Sequence, residues 1–462
     1  MKLYSEGKKY KLYDGSMLDM LECIEPNSIE SIVTDPPYEL NFMGKGWDRS
    51  GIAFQASTWE KCLTVLKPGG YLLAFGGSRT YHRIACAIED AGFEIRDTII
   101  WMYGSGFPKS MNIGLAIDKK NGVESEVIGT QTKGSSPLAG NHDGMWCDDQ
   151  EDGTFELKRA RNEWAGWGTS LKPAYEPVII ARKPCEGSCI DNVLKYGVGG
   201  INLDECRIPL NSDEVAGIKT VHRGKRSDDG VFNTKTCGLT QEGDVLSMNE
   251  SGRFPSNIIL TYDETDYDEV CGGMPDSKGA TSQNNYAGGH IYRGQSLQES
   301  STSLNGYREW YNDEGSASRY FYCAKASAKD RDEGLEDFEV KSTGELQGGR
   351  KEGSAGSIMQ NADGGTRVNP YAGTGAPKKN THPTVKPCEL MQYLIRLVTP
   401  KGGTVLDPFN GSGSTGKACM YENRERQADY KYIGIELTPE YLPIADARIK
   451  FVESRPVQFK LF

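Results

Sequence analysis

The chain has 462 residues, 37% of them hydrophobic, with 53 Lys and Arg against 64 Asp and Glu for a net charge of −11. That length exceeds one small core and points to two or more structural units. The composition excludes a membrane helix, since no run approaches the roughly 18 apolar residues one needs.

The opening MKLYSEGKKYKLYDG has no apolar leader core, so a soluble, cytoplasmic protein without a membrane partner is expected. Twelve scattered cysteines fit reduced thiols. The negative balance speaks against a polyanionic partner without excluding a local basic surface.

Strand and helix alternate through the first hundred residues. Residues 31–34 (SIVT) read as a short buried strand, left through the sequence TDPPYEL. Pro36 and Pro37 have no N–H for a sheet ladder, and Pro36 keeps Asp35 out of helical angles, so this exit is extended and stiff. It holds a carboxylate, a backbone carbonyl and the Tyr38 ring at a strand's carboxyl end, the edge where open α/β sheets bind ligands.

Trp59, Cys62, Leu63 and Leu66 then recur at helical spacing, with Pro68, Gly69 and Gly70 as the stop. Residues 71–75 (YLLAF) are strand-like. Ile84, Ala85, Ile88 and Ala91 make a helical stripe closed by Gly92, and residues 93–103 form a further strand. This alternation predicts a mainly parallel sheet with helices on both faces.

From about residue 104 to 380 the periodicity weakens and glycine-rich polar runs dominate, so the stretch reads as an inserted module. Short ordered candidates within it are residues 177–181 (PVIIA), 201–203, 257–260 (NIIL) and 320–323. Cys185, Cys189 and Cys206 do not make a zinc spacing, and no metal is expected. The run TYDETDYDEV at 261–270 reads as a solvated face. Residues 341–386 carry seven basic and three acidic side chains, a local excess suited to tracking phosphates.

Alternation resumes with Pro387 opening a helix whose face is Leu390, Met391, Leu394, Ile395 and Val398. A strand at 403–407, a helix at 414–423, a strand at 432–437 and a last helix after Thr438-Pro439 follow. The two flanking α/β pieces are each too small alone, so together they are expected to form one Rossmann-like, doubly wound sheet.

The C-terminal strand at 403–407 runs into LDPFNGSGSTGKA, residues 406–418, which contains a literal GxGxxG and opens a helix. Its glycines let backbone approach a ligand while the helix N-terminus offers free N–H groups. Glu436 ends the next strand, placed to grip ribose hydroxyls. Taken literally this is a dinucleotide fingerprint, and an oxidoreductase stays open. However, Asp407 and Phe409 beside the glycines suit a cationic, amino-acid-bearing nucleoside better than a pyrophosphate.

With both motifs in hand, the sequence resembles the amino-methylating DNA methyltransferases of the permuted β class, which act on adenine N6 or cytosine N4. DPPY at 35–38 is similar to their catalytic motif and DPFNGSG at 407–413 to their S-adenosylmethionine loop, with THPTVKP at 381–387 ahead of it. FMGKGWD (42–48), LKPGGYLLAFGG (66–77), GSGFPKS (104–110) and YEPVIIARKP (175–184) match as well.

The resemblance implies that Asp35 and the Pro36 carbonyl accept the target N–H groups, Pro37 stiffens the loop and Tyr38 stacks on a flipped base. It implies S-adenosylmethionine contacts at Asp407, Phe409, Asn410, Gly411, Ser412, Gly413, Glu436, Thr384 and Lys386. Residues 1–103 then form the catalytic part, 104–380 a target-recognition region and 381–462 the cofactor part. Double-stranded DNA is the implied substrate, and a homodimer and a cognate restriction endonuclease are further partners the resemblance leaves open. Asp before Pro-Pro-Tyr favours adenine-N6 over cytosine-N4 in the family; a protein binding cofactor or DNA without turnover is a third reading. Gly15-Ser16 departs from the relatives that carry an Asp after that glycine, with Asp14 and Asp19 as substitutes.

Overall fold

The computed structural model describes residues 2–40, 46–103, 110–132, 154–210, 252–261, 321–324, 328–340 and 379–456. It also describes residue 274 and short strand pairs at 221–222 with 245–246, 276–277 with 315–316, and 358–360 with 366–368. Lys341, Arg350, Lys351, Lys378 and the side chain of Arg367 lie outside the described residues, as do most of the 261–270 run and of the GSGFPKS match. Among the described residues, no helix is long and apolar enough to cross a membrane.

Ten of the strands make one sheet. In chain order they are β1 (Lys2–Glu6), β2 (Tyr10–Asp14), β3 (Ile29–Thr34), β4 (Leu66–Phe75), β5 (Glu94–Tyr103), β6 (Tyr175–Arg182), β7 (Ile258–Thr261), β8 (Tyr322–Cys323), β9 (Thr404–Asp407) and β10 (Lys431–Glu436). In space the order is β1-β2-β10-β9-β3-β4-β6-β5-β7-β8. The run from β2 to β4 is parallel throughout, as are the pairs β5–β7 and β7–β8. β6 is antiparallel to both its neighbours, and β1 to β2.

Successive side chains of β3 point to opposite faces, and each face is buried. Val33 packs with Leu390, Leu394 and Ile449, whereas Ile32 packs with Trp59, Cys62 and Ile88. Helices α1 (Ala56–Val65) and α2 (Tyr81–Asp90) therefore cover one side. Helices α3 (Cys388–Val398), α4 (Ser414–Arg426) and α5 (Leu442–Glu453) cover the other. This is the doubly wound sheet that the two flanking pieces implied, and the N- and C-terminal strands interleave at its centre.

Three strands of that sheet, β6, β7 and β8, come from within residues 104–380. Val178, Ile179, Ile180 and Ala181 are almost wholly buried, which an interior position covered on both faces requires. Two further helices lie in the same stretch, one weakly amphipathic and one only eight residues long with Ile190 and Leu194 turned to solvent. Ile113–Asn121 starts where the Asn112 side chain accepts the Leu115 N–H at 2.9 Å, and ends at Gly122 with φ +66°. Cys189–Tyr196 is capped by Ser188 and closed by Gly197, with φ +73°. Cap residues were the legible signal in both.

The connections place the site. From β9 the chain passes through α4 to β10 on one side, and from β3 through α1 to β4 on the other. The two connections diverge, so a crevice opens at the carboxyl ends of β9 and β3, the topological switch point.

Candidate active site

Both motifs leave neighbouring strands at that crevice, because Leu406 pairs with Ile32 across β9 and β3. The DPPY and DPFNGSG loops line one cavity of about 1110 Å³. Its walls include Asp35, Pro36, Pro37, Tyr38, Thr384, Lys386, Asp407, Phe409, Asn410, Gly411, Ser412 and Glu436. Residues 373 apart at Thr34 and Asp407 are joined by a 2.6 Å hydrogen bond.

The acid of DPPY is tied to the C-terminal piece. Lys386 Nζ donates to Asp35 Oδ2 at 2.6 Å, and the other oxygen, Oδ1, is buried without a hydrogen-bond partner among the described residues. Burial lifts Asp35 above the ordinary carboxylate range against the pull of the Lys386 ammonium. Burial works against a charge on Lys386 too, but Asp35 and Glu176 outweigh it and hold the ammonium above the usual lysine value. Tyr38 OH donates to Glu176 Oε2 at 2.7 Å, and Tyr103 OH reaches Oε1 at 3.5 Å. Glu176, Tyr103 and Trp101 line the cavity. Their role was not read from the sequence, although the YEP of β6 was noted.

In the glycine loop the two acids divide their work. Asp407 Oδ1 accepts from Thr34 Oγ1 at 2.6 Å and Phe409 N–H at 3.1 Å, and Oδ2 from Thr415 Oγ1 at 2.6 Å. It lines the cavity, yet both oxygens are engaged in fastening the loop to β3 and to the start of α4. Burial raises its pKa to about 6. Glu436 accepts the Gly411 N–H at 2.6 Å and the Thr438 N–H at 2.8 Å, and burial raises its pKa to about 7.

The loop glycines are needed for two reasons. Gly411 has φ +52°, and a Cβ there would sit 2.9 Å from the His382 Nε2; Gly413 has φ +75° and is pressed on Ala445. Gly413 is not among the residues lining the cavity and serves the turn instead. His382 lines the cavity rim and packs edge-on against Tyr441 at 4.6 Å between ring centres. The Phe409 ring lies 6.4 Å from Trp59.

Asn410 Oδ1 accepts from Tyr432 OH at 2.7 Å. Ser16 lines the cavity, whereas neither Asp14 nor Asp19 is among its lining residues. Residues 328–340, absent from the sequence reading, hold the NTHPT segment. Arg331 donates to the His382 carbonyl at 2.6 Å, and Asn380 N–H to Asp332 at 3.0 Å.

A mainly parallel, doubly wound sheet with an acidic Pro-Pro-Tyr exit and a glycine loop at its switch point makes this an α/β protein with a candidate site between two strand ends. A DNA methylase family profile matches residues 29–186 and 249–447, well over half of the chain, and the chain belongs to that family.

Among curated relatives, the type II methyltransferase M.XycI of Xanthomonas campestris pv. cyanopsidis is 40% identical over 82 residues, 18% of this chain and 25% of that protein. M.HindIII of Haemophilus influenzae is 23% identical over 236 residues, 41% of this chain and 64% of the relative. The chain thus spans about a quarter of the first of these relatives and less than two thirds of the second. A solved PvuII DNA methyltransferase (cytosine-N4-specific) aligns over 100% of this chain and 98% of its own at 13% identity, with a TM-score of 0.39. A likeness of that degree adds nothing to the topology described above.

Proposed function

We propose that this protein is a site-specific DNA methyltransferase that moves a methyl group from S-adenosylmethionine to adenine N6 in double-stranded DNA. The observation that carries the reading is Asp35 Oδ1, a buried acceptor left unpartnered beside a cavity that the glycine loop shares. An aromatic amino group is a poor nucleophile because its lone pair is delocalised into the ring. Asp35 Oδ1 and the Pro36 carbonyl accept its two N–H groups and favour a tetrahedral nitrogen, so positioning does most of the work. Tyr38, its hydroxyl fixed on Glu176, offers a ring for the flipped base to stack upon.

The donor set fits the cofactor. The walls carry Asp35, Asp407, Glu436, Tyr38 and Phe409, an acidic and aromatic lining suited to a sulfonium cation. Glu436 is assigned to the ribose and the 410–413 backbone to the amino-acid end; Thr384 stands at the rim. When bound, S-adenosylmethionine would supply an electrophilic methyl group on its sulfonium, toward which Asp35 Oδ1 and the Pro36 carbonyl would orient the target nitrogen.

Residues 104–380, apart from their three sheet strands, are the proposed DNA-reading region, since the sheet and its helices are used in building the site. Cytosine-N4 methylation is the second reading, and Asp before Pro-Pro-Tyr is what favours adenine by resemblance. Incubating the protein with S-adenosylmethionine and unmodified, in-vitro-amplified genomic DNA, then digesting to nucleosides, tests the choice. N6-methyldeoxyadenosine is the expected product. N4-methyldeoxycytidine would transfer the assignment to the second reading, and no methylated nucleoside would refute both.

A further inference from the structure

Lys386 lies 351 residues from Asp35 in the chain, yet the two groups meet in the cavity wall with side-chain exposures of 7% and 20%. A buried ammonium needs acceptors, and Lys386 has two: Asp35 Oδ2 at 2.6 Å and Glu176 Oε2 at 3.4 Å. Ring faces complete its surroundings, with Nζ 5.0 Å from the Phe75 centre and 5.4 Å from that of Tyr38. Glu176 in turn accepts the Tyr38 hydroxyl through the same Oε2. The acceptor for the target amine and the ring for the target base are therefore both fastened to one lysine–glutamate pair.

We infer that Lys386 and Glu176 are positioning residues that brace Asp35 and Tyr38, so that Asp35 Oδ1 alone is presented to the target amino group. The inference rests on the amino-methyltransferase reading and assigns Lys386 a task other than the cofactor contact that its motif implies. One oxygen of Asp35 is spoken for, which removes rotation about the carboxyl bond as a way to miss the substrate.

The pair also sets charge. One ammonium between two carboxylates leaves a net of −1, whereas without it the two carboxylates repel each other and the protonated form of Asp35 is favoured further. The charged and titratable groups facing Asp35 are Lys386, Glu176 and Tyr38, with Asp407 adding repulsion from β9. Tyr103 acts through its bond to Glu176.

The test uses the full chain with radiolabelled S-adenosylmethionine and unmodified amplified DNA in single turnover, with cofactor affinity measured separately by calorimetry. Lys386→Met is expected to lower the single-turnover rate at least about tenfold while cofactor affinity stays within about threefold. Its rate should recover as pH rises, because the protonated carboxylate must be emptied first. Lys386→Arg should restore part of the rate, and Glu176→Gln should slow transfer in the same manner. If Lys386→Met does not fold, the Arg and Gln variants carry the same comparison.

A wild-type rate and pH profile in the variants that fold would overturn the brace. Loss of cofactor binding in Lys386→Met, with chemistry unchanged at saturation, would return the lysine to the cofactor. Failure of the wild-type protein to methylate any DNA would instead sink the functional reading itself.

Discussion

Asp407 and Glu436 stand at the carboxyl ends of adjacent strands, and each is buried, yet they differ in what their oxygens hold. Asp407 closes three protein contacts, two of them to hydroxyls of β3 and α4, while Glu436 accepts loop N–H groups of Gly411 and Thr438. Burial raises their pKa values to about 6 and about 7. A carboxyl whose pKa is raised by folding favours the fold while protonated. Its cost therefore appears as pH climbs through the unfolded value and is complete above the folded one.

Ribose hydroxyls donating to Glu436 would reverse that preference by stabilising the carboxylate. Affinity for S-adenosylmethionine should thus increase with pH up to about 7 and level off above it. Titration calorimetry across that range checks this, and Glu436→Gln should flatten the curve as it weakens binding. A wild-type affinity independent of pH would mean that Glu436 does not face the cofactor. At this scale DPPY and the glycine loop were legible because stiff and permissive residues are conspicuous in sequence. Glu176 and the Lys386–Asp35 pair were not, since a contact across hundreds of residues leaves no local pattern.

Among the elements, the short helix Ala328–Asp332 and the turn after it do more than their length suggests. Lys417 on α4 and Arg448 on α5 have fully buried side chains. Asp330 takes both Lys417, at 2.5 Å, and the Cys388 N–H at the start of α3, at 2.7 Å; Glu333 lies 3.0 Å from Lys417. Removing Asp330 leaves Lys417 with Glu333, so the loss falls below what a buried charge with no partner costs, about 3 kcal/mol or more.

Asp330→Ala should therefore lower stability by about 1–3 kcal/mol in urea unfolding. Glu186→Ala, which breaks an exposed, solvent-screened pair with Lys195, should leave it essentially unchanged. Equal, small shifts in both would contradict the assigned role of the 328–340 segment. This segment escaped the sequence reading because polar, glycine-rich flanks mask a five-residue helix, and nothing local announces that its acids face buried bases. The strands β3, β5, β9 and β10 were readable because each carries a compact apolar run bounded by polar or turn residues.

For the whole molecule, the sequence order hides the spatial one. Strands β3 and β9 are hydrogen-bonded neighbours drawn from opposite ends of the chain, and β6 enters the same sheet from the middle. Motif order made the joining of the two ends legible. The entry of β6 was not, because an isolated PVIIA run fits an inserted module as well as a central strand. If two distant pieces make one site, they should fail separately and in different ways.

The most direct test measures transfer of tritiated methyl from S-adenosylmethionine to unmodified duplex DNA together with cofactor affinity, in wild type, Asp35→Ala and Gly411→Val. Wild type should label the DNA. Asp35→Ala should bind cofactor within about threefold of wild type but transfer no methyl in a single turnover, its loss falling on the chemical step. Gly411→Val, strained by φ +52° and pressed on His382, should lose cofactor binding and transfer together. Substantial transfer by Asp35→Ala, or unchanged cofactor affinity in a folded Gly411→Val, would contradict the site.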